Sequence, residues 1–252
     1  MQGDAGGSIE IEALWEYADP AMSESRFRAA LEGRTGDTAL ELTTQVARTY
    51  SLRGRFDEAH RVLDQVHVQL KSAGIAPRVR YLLERGRTFN SAGDKEKARK
   101  LFVHAFEQAQ AGKLEGLAVD AAHMVAVAHA GTEQALEWNR RGLALARASK
   151  DAKAIALIPA MLNNQAWDLH AMGRYPEALA LFEEAQEEWS ARERPKQVHI
   201  AKWSVARCLR SLGRHDEALA IQRALQAEQA AMGTADPHVD EEIAENLKAL
   251  GR

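Results

Sequence analysis

The chain has 252 residues, and its charges nearly balance: 33 Lys and Arg against 36 Asp and Glu, for a net charge of −3. That leaves no basic excess for a nucleic-acid partner, and with no apolar run of 18 residues there is no membrane span to expect. One cysteine, Cys208, excludes an internal disulfide. It lies in an apolar-periodic stretch and reads as a packed thiol, which suits a reducing cytoplasm.

Taken in order, the chain opens with a Gly-rich polar stretch, Met1 to Ser8, that carries no targeting pattern and is expected to be disordered. Ile9 to Tyr17 is apolar enough to pack as a short helix, and Asp19-Pro20 punctuates it. Ser23 to Glu32 reads as a lone helix capping the N-terminus, followed by a loop with Asp37 as a candidate N-cap. Helix pairs are then expected at 38–52/56–71, 78–91/95–110, 115–129/132–148, 155–171/175–190 and 196–211/215–231. Pro77 and Pro195 stand where helices start. Pro159 leaves two alternatives: a helix that begins near it, or a longer one from Asp151 that it kinks. A last helix, 238–250, has no partner, and Glu241, Glu242, Glu245 and Lys248 are expected on its solvated face. Residues 1–36 are thus a start and cap, and 37–252 five helix pairs with a C-terminal capping helix.

The pairs follow from a repeated pattern. Gly54, Gly93, Gly131, Gly173, Gly213 and Gly251 are separated by 39, 38, 42, 40 and 38 residues. Each of the regular copies has Ala five residues after its Gly (Ala59, Ala98, Ala178, Ala218). Nine residues after comes a bulkier side chain, Leu63, Phe102, Phe182 or Gln222, and twelve after comes Val66, Ala105, Ala185 or Leu225. Seven before stands Ala47, Gly86, Ala166, Ala206 or Ala244, and four before Tyr50, Phe89, Leu169, Leu209 or Leu247. Gly131 begins a degenerate copy, one residue short, whose first helix has an open register. Gly ends one helix in the left-handed region, an acid opens the next where the dipole favours it, and the small residues let two helices approach closely. Such a pair cannot bury its apolar face alone, so neighbours must stack.

This spacing resembles the tetratricopeptide repeat over roughly residues 37–252. The period exceeds that family's usual ~34 residues and is similar to the long-helix variety of kinesin light chains and bacterial scaffolds and regulators. The resemblance implies an all-α, right-handed superhelical solenoid of antiparallel helix pairs. It also implies a concave groove lined by the first helix of each pair at positions two, five, nine and twelve of the motif. Carried over, these are Glu41, Thr44, Arg48 and Ser51; then Arg80, Leu83, Arg87 and Asn90; then Ala160, Asn163, Trp167 and His170; then Ile200, Trp203, Arg207 and Arg210. The terminal helix adds His238, Glu241, Glu245 and Lys248. Arg48, Arg80, Arg87, Arg207 and Arg210 offer forked donors for a carboxylate. Asn90, Asn163 and Asn164 suit a peptide backbone, and Trp167, Trp203 and His170 offer flat anchors. The same residues admit a structural reading, with the arginines paired to Glu41 or Glu84 and the tryptophans packed between helix pairs. The Lys/Asn set of the family's chaperone-clamping members is absent.

No enzyme is expected. Asp57-Glu58-Ala59-His60 spells a helicase motor motif, but no phosphate loop accompanies it. The nine histidines form no metal-binding spacing, and no activated nucleophile is evident. The expected function is a cofactor-free, non-catalytic scaffold for a protein or peptide partner carrying acidic or aromatic residues. Two alternatives stand beside it: a ligand-sensing regulator that changes shape, and a self-assembling adaptor forming homodimers.

Overall fold

A computed structural model of the chain describes residues 10–252; the stretch expected to be disordered, residues 1–8, lies outside the described residues. The chain divides into two compact units. The first comprises Met1–His129 and Ala148–Ala154; the second comprises Ala130–Arg147 and Ile155–Arg252.

In the first unit a 3-10 turn, Ile11–Leu14, precedes α1 (Pro20–Leu31), α2 (Gly36–Leu52), α3 (Phe56–His67), α4 (Ile75–Ser91), α5 (Lys95–Ala111) and α6 (Glu115–Ala128). Asp19-Pro20 does more than punctuate. The Asp19 carboxylate accepts from the backbone N–H groups of Ala21 and Met22, and Pro20 opens α1, so that helix begins three residues earlier than its apolar pattern suggests. Asp37 is not an N-cap. Thr35 holds that place without a side-chain bond, while the Asp37 carboxylate accepts from the N–H of Gly74 at 3.0 Å and ties the start of α2 to the start of α4.

The turn within each regular pair closes the same way. After α2, Gly54 at φ 73° lets its N–H reach the Ser51 carbonyl, and the N–H of Arg55 reaches that of Tyr50, both at 3.0 Å. The same two bonds recur at Gly93, Gly173 and Gly213, and the second carbonyl belongs each time to the large apolar residue four before the glycine, Phe89, Leu169 or Leu209. The crossing above this turn is tight. Ala47, Ala59, Leu63, Ala98, Phe102 and Ala105 have no exposed surface. At Gly86 an added Cβ would stand 2.5 Å from the ring of Phe102.

The second unit holds α7 (Glu133–Ala148), α9 (Ile158–Ala171), α10 (Tyr175–Ala191), α11 (Pro195–Ser211), α12 (His215–Ala231) and α13 (Pro237–Ala249); the single turn α8 (Ala152–Ala156) precedes α9. Of the two alternatives at Pro159, the structure has the first. The helix breaks at Leu157 and α9 starts at Ile158, with Pro159 in the first turn where no intrahelical N–H is required. The core joins Ala166, Leu169, Ala178, Phe182, Val205, Cys208, Leu209 and Ala218. Cys208 is a free, buried thiol that donates to the Tyr175 carbonyl at 3.4 Å. The turn at Gly131 is closed differently: its N–H donates to Asp168 Oδ1 at 2.7 Å, and Asn139 donates to Asp168 Oδ2. Burial pushes the Asp168 carboxyl above its ordinary pKa. On α13, Glu241 and Glu245 are exposed as expected but Glu242 is not; it is 5% exposed because it faces α11.

The Gly86–Phe102 contact makes a prediction. In an exposed helix Gly→Ala adds about 1 kcal/mol of stability, but overpacking a fully buried aromatic costs about 1–3 kcal/mol. Gly86→Ala is therefore expected to lower the urea midpoint. A midpoint unchanged or raised would mean the crossing is loose.

Candidate functional site

The lining of the first unit comes from α2, α4 and α6. Its arginines face this chain's own carboxylates. Glu84, buried in α4, accepts from Arg48 on α2 at 3.4 Å and from Arg87 at 2.6 Å. Arg87 also spans to Asp120 on α6 at 2.6 Å. Arg80 donates to Glu41 at 2.7 Å, with Glu12 at 3.8 Å. Burial acts against charge on both Arg87 and Asp120. Their mutual attraction outweighs it, raising the guanidinium above its usual range and holding the Asp120 carboxyl below its own. Burial lowers the pKa of His123, one turn on from Asp120. Thr44 and Leu83, both at position five, are fully buried and present nothing to a groove.

The lining of the second unit comes from α9, α11 and α13 and is built of rings. Trp167 stacks edge-on over Phe182 (centroids 4.9 Å) and His170 (5.2 Å), and lies 6.0 Å from Trp203. His170 meets Tyr175 at 5.0 Å, and Trp203 meets His238 at 6.4 Å. The result is a ladder of Tyr175, His170, Trp167, Trp203 and His238. Asn163 and Asn164, half-buried, sit one turn before Trp167 on α9. Ile200, one turn before Trp203 on α11, is 49% exposed. On the other flank Arg207 and Arg210 both engage Glu242, at 3.2 and 2.7 Å, and the His170 Nε2 lies 2.9 Å from Ser211 Oγ. Burial, with Arg207 and Arg210 adding to it, lowers the His170 pKa.

The predicted residues therefore fall into two groups. Arg48, Arg80, Arg87 and Asn90 belong to the first unit's charged lining. Asn163, Asn164, Trp167, His170, Trp203, Arg207 and Arg210 belong to the second unit's ladder and its flanks. The five arginines have carboxylate partners within the chain, as the structural reading held for Glu41 and Glu84. Sequence reasoning missed Glu242, Asp120, Trp15 and Tyr17. Glu84 and Glu242 occupy the same place, one residue after position five, and that recurrence was the available sign. Asp120 lies in the degenerate repeat, where no register pointed to it. Among the described residues no three His, Cys, Asp or Glu side chains gather to hold a metal, and no helix is long and apolar enough to cross a membrane. Burial pushes the Cys208 thiol up to about 11, which leaves it a poor nucleophile.

Residues 157–227 match the tetratricopeptide repeat family, as do residues 46–65. No curated protein matches the chain. Among solved structures it is similar to a Podospora anserina putative kinesin light chain with nearly identical repeats of this type (TM-score 0.63, 20% identity, 77% of this chain and 96% of that one). It is also similar to the apo form of RapI (0.74, 10%, 96% and 68%) and to NprR in complex with its cognate peptide NprX (0.57, 14%, 96% and 70%).

Removing Arg87 leaves Glu84 and Asp120 without their shared partner. Arg87→Ala is expected to cost about 3 kcal/mol at pH 7, the low end for a broken buried pair. The Asp120 carboxyl is depressed on folding, so its share is present above its unfolded pKa near 3.8 and lost as pH falls through the lower folded value. Urea unfolding of both proteins at pH 7 and pH 3 should show the gap narrow in acid; a gap that stays constant would remove the ion pair as its cause.

Proposed function

We propose that this chain, in which residues 157–227 and 46–65 match the tetratricopeptide repeat, is a non-catalytic interaction module that docks a peptide segment of a partner on the ring ladder of α9, α11 and α13. The ladder carries this reading. Trp167 and Trp203 stand on neighbouring lining helices with an exposed Ile200 beside them, an apolar and aromatic cluster of the kind that dominates binding energy. The amides of Asn163 and Asn164 lie one turn away, able to pair with both N–H and C=O of an extended backbone. The pairing of Arg207 and Arg210 to Glu242 favours an apolar or aromatic partner residue over an acidic one, since a ligand carboxylate must compete with Glu242 for both guanidinium groups.

A second reading is a peptide-sensing regulator whose repeats change their arrangement on binding. Its support is the likeness to NprR bound to its cognate peptide. A change in radius of gyration when a selected peptide is added would favour it over a passive scaffold.

The test is selection of a displayed peptide library on the immobilised full chain, followed by affinity measurement on variants. Ile200→Glu changes an exposed side chain and leaves the fold intact. It and Trp203→Ala are each expected to weaken the selected peptides by about 30-fold, equivalent to about 2 kcal/mol. Equal affinity for wild type and both variants would move the site off the ladder.

A further inference from the structure

Residues 10–17 lie on the first unit's lining as a ligand would. Ile11 and Trp15 are buried against Phe27, Leu42 and Val46. Trp15 Nε1–H donates to Gln45 Oε1 at 3.2 Å, and the Arg48 guanidinium sits 5.5 Å from the Trp15 ring and 5.9 Å from that of Tyr17. The two rings stack at 4.8 Å, Glu12 reaches toward Arg80, and Glu10 lies 3.5 Å from Lys153. Only one 3-10 turn shapes the segment. The N-cap of α1 is made by Asp19, beyond its end, and the segment's hydrogen bonds to that helix run through Glu16, whose N–H donates to Ser23 Oγ at 2.7 Å and whose carbonyl accepts from the same hydroxyl at 3.0 Å.

The fit is incomplete. Arg48 Nε on α2, Asn90 Oδ1 on α4 and His123 Nδ1 on α6 are buried without a hydrogen-bond partner among the described residues. Native cores leave few such groups, and these three stand on three successive lining helices around the Arg87–Asp120 pair. Between them they ask for an acceptor and a donor, which one stretch of extended main chain supplies.

We propose that residues 10–17 are a resident ligand of the first unit's lining, and that this lining takes an extended peptide of the same chemistry: a Glu three residues before a Trp, with a Tyr two further on. The resident segment competes at the high effective concentration of a tethered ligand. An incoming segment wins by adding the main-chain hydrogen bonds that the resident one leaves unmade.

The probe is a fluorescein-labelled peptide copying residues 9–19, titrated into the full chain by anisotropy. Trp15→Ala, which weakens the resident segment, is expected to bind it at least tenfold more tightly than wild type. Adding Trp203→Ala, in the second unit, leaves that affinity unchanged, so failure here is separable from failure of the ladder. A folded Trp15→Ala chain that binds the peptide no better than wild type overturns the proposal. Should that variant not fold, hydrogen exchange on wild type decides. Amides of residues 11–17 are expected to exchange at least tenfold faster than those of α2, whereas exchange only at the rate of α2 makes the segment a fixed part of the core.

Discussion

Each regular pair of helices depends on the close approach of two backbones at one crossing. At Gly86 the facing ring of Phe102 occupies the space a Cβ would take, and elsewhere alanines with no exposed surface hold the equivalent places. Such an approach requires a turn that reverses the chain in very few residues, hence the left-handed glycine and its two closing bonds. The large residue four before the glycine has two tasks. Its side chain packs beside the turn, half-buried at Tyr50 and Phe89 and buried at Leu169 and Leu209, and its carbonyl accepts the closing bond. Where the repeat is degenerate, at Gly131, the local bond is replaced by a distant carboxylate, Asp168, held above its ordinary pKa by burial.

Once the crossings are set, neighbouring lining helices stand close enough for their side chains to meet, and charge must be settled there. Glu84 and Glu242 each receive two guanidinium groups and are nearly inaccessible to water. A carboxylate so enclosed is tolerable only while its partners remain. Arginine in these stripes therefore does not amount to a positive field awaiting an anion. In the first unit Arg48, Arg80 and Arg87 are met by Glu41, Glu84 and Asp120, so the charges of the lining balance among themselves, and Glu12 of the 10–17 segment adds a fourth carboxylate.

The helix pairs were legible because their determinants are local and repeated. Glycine, alanine and aromatic positions recur at fixed distances, and the helix ends fall within a few residues of those the pattern predicts. The resemblance placed the carried-over positions on these helices, but two of them, Thr44 and Leu83, are fully buried. The partners of these positions were not legible. Whether Arg87 is free depends on Asp120, 33 residues away in the one copy whose spacing is broken. Whether Glu242 is exposed depends on α11, because α13 has a face turned toward it that a lone capping helix would lack. The path of residues 10–17 follows no repeat at all; it is fixed by Trp15 finding Phe27 and Gln45.

The two linings use different chemistry, and the difference bears on what each selects. Rings stacked edge-on present apolar faces that accept almost any flat or aliphatic group, so a ladder supplies affinity with little discrimination. Under the proposed docking, discrimination on the second unit falls to its flanks, where the amides at 163 and 164 stand one turn from Trp167 and Glu242 already occupies both guanidinium groups. In the first unit the order is reversed. Its ion pairs are directional and mutually dependent, so an occupant must match several charges at once or leave one of them buried and unpaired. A segment of this chain already meets part of that requirement, through Glu12 to Arg80 and the Trp15 and Tyr17 rings beside Arg48. Tethering makes even that partial match hard to displace, because the competing ligand never leaves. The charged lining is thus the more exacting of the two surfaces, although it holds more of the formal charge that would suggest easy binding.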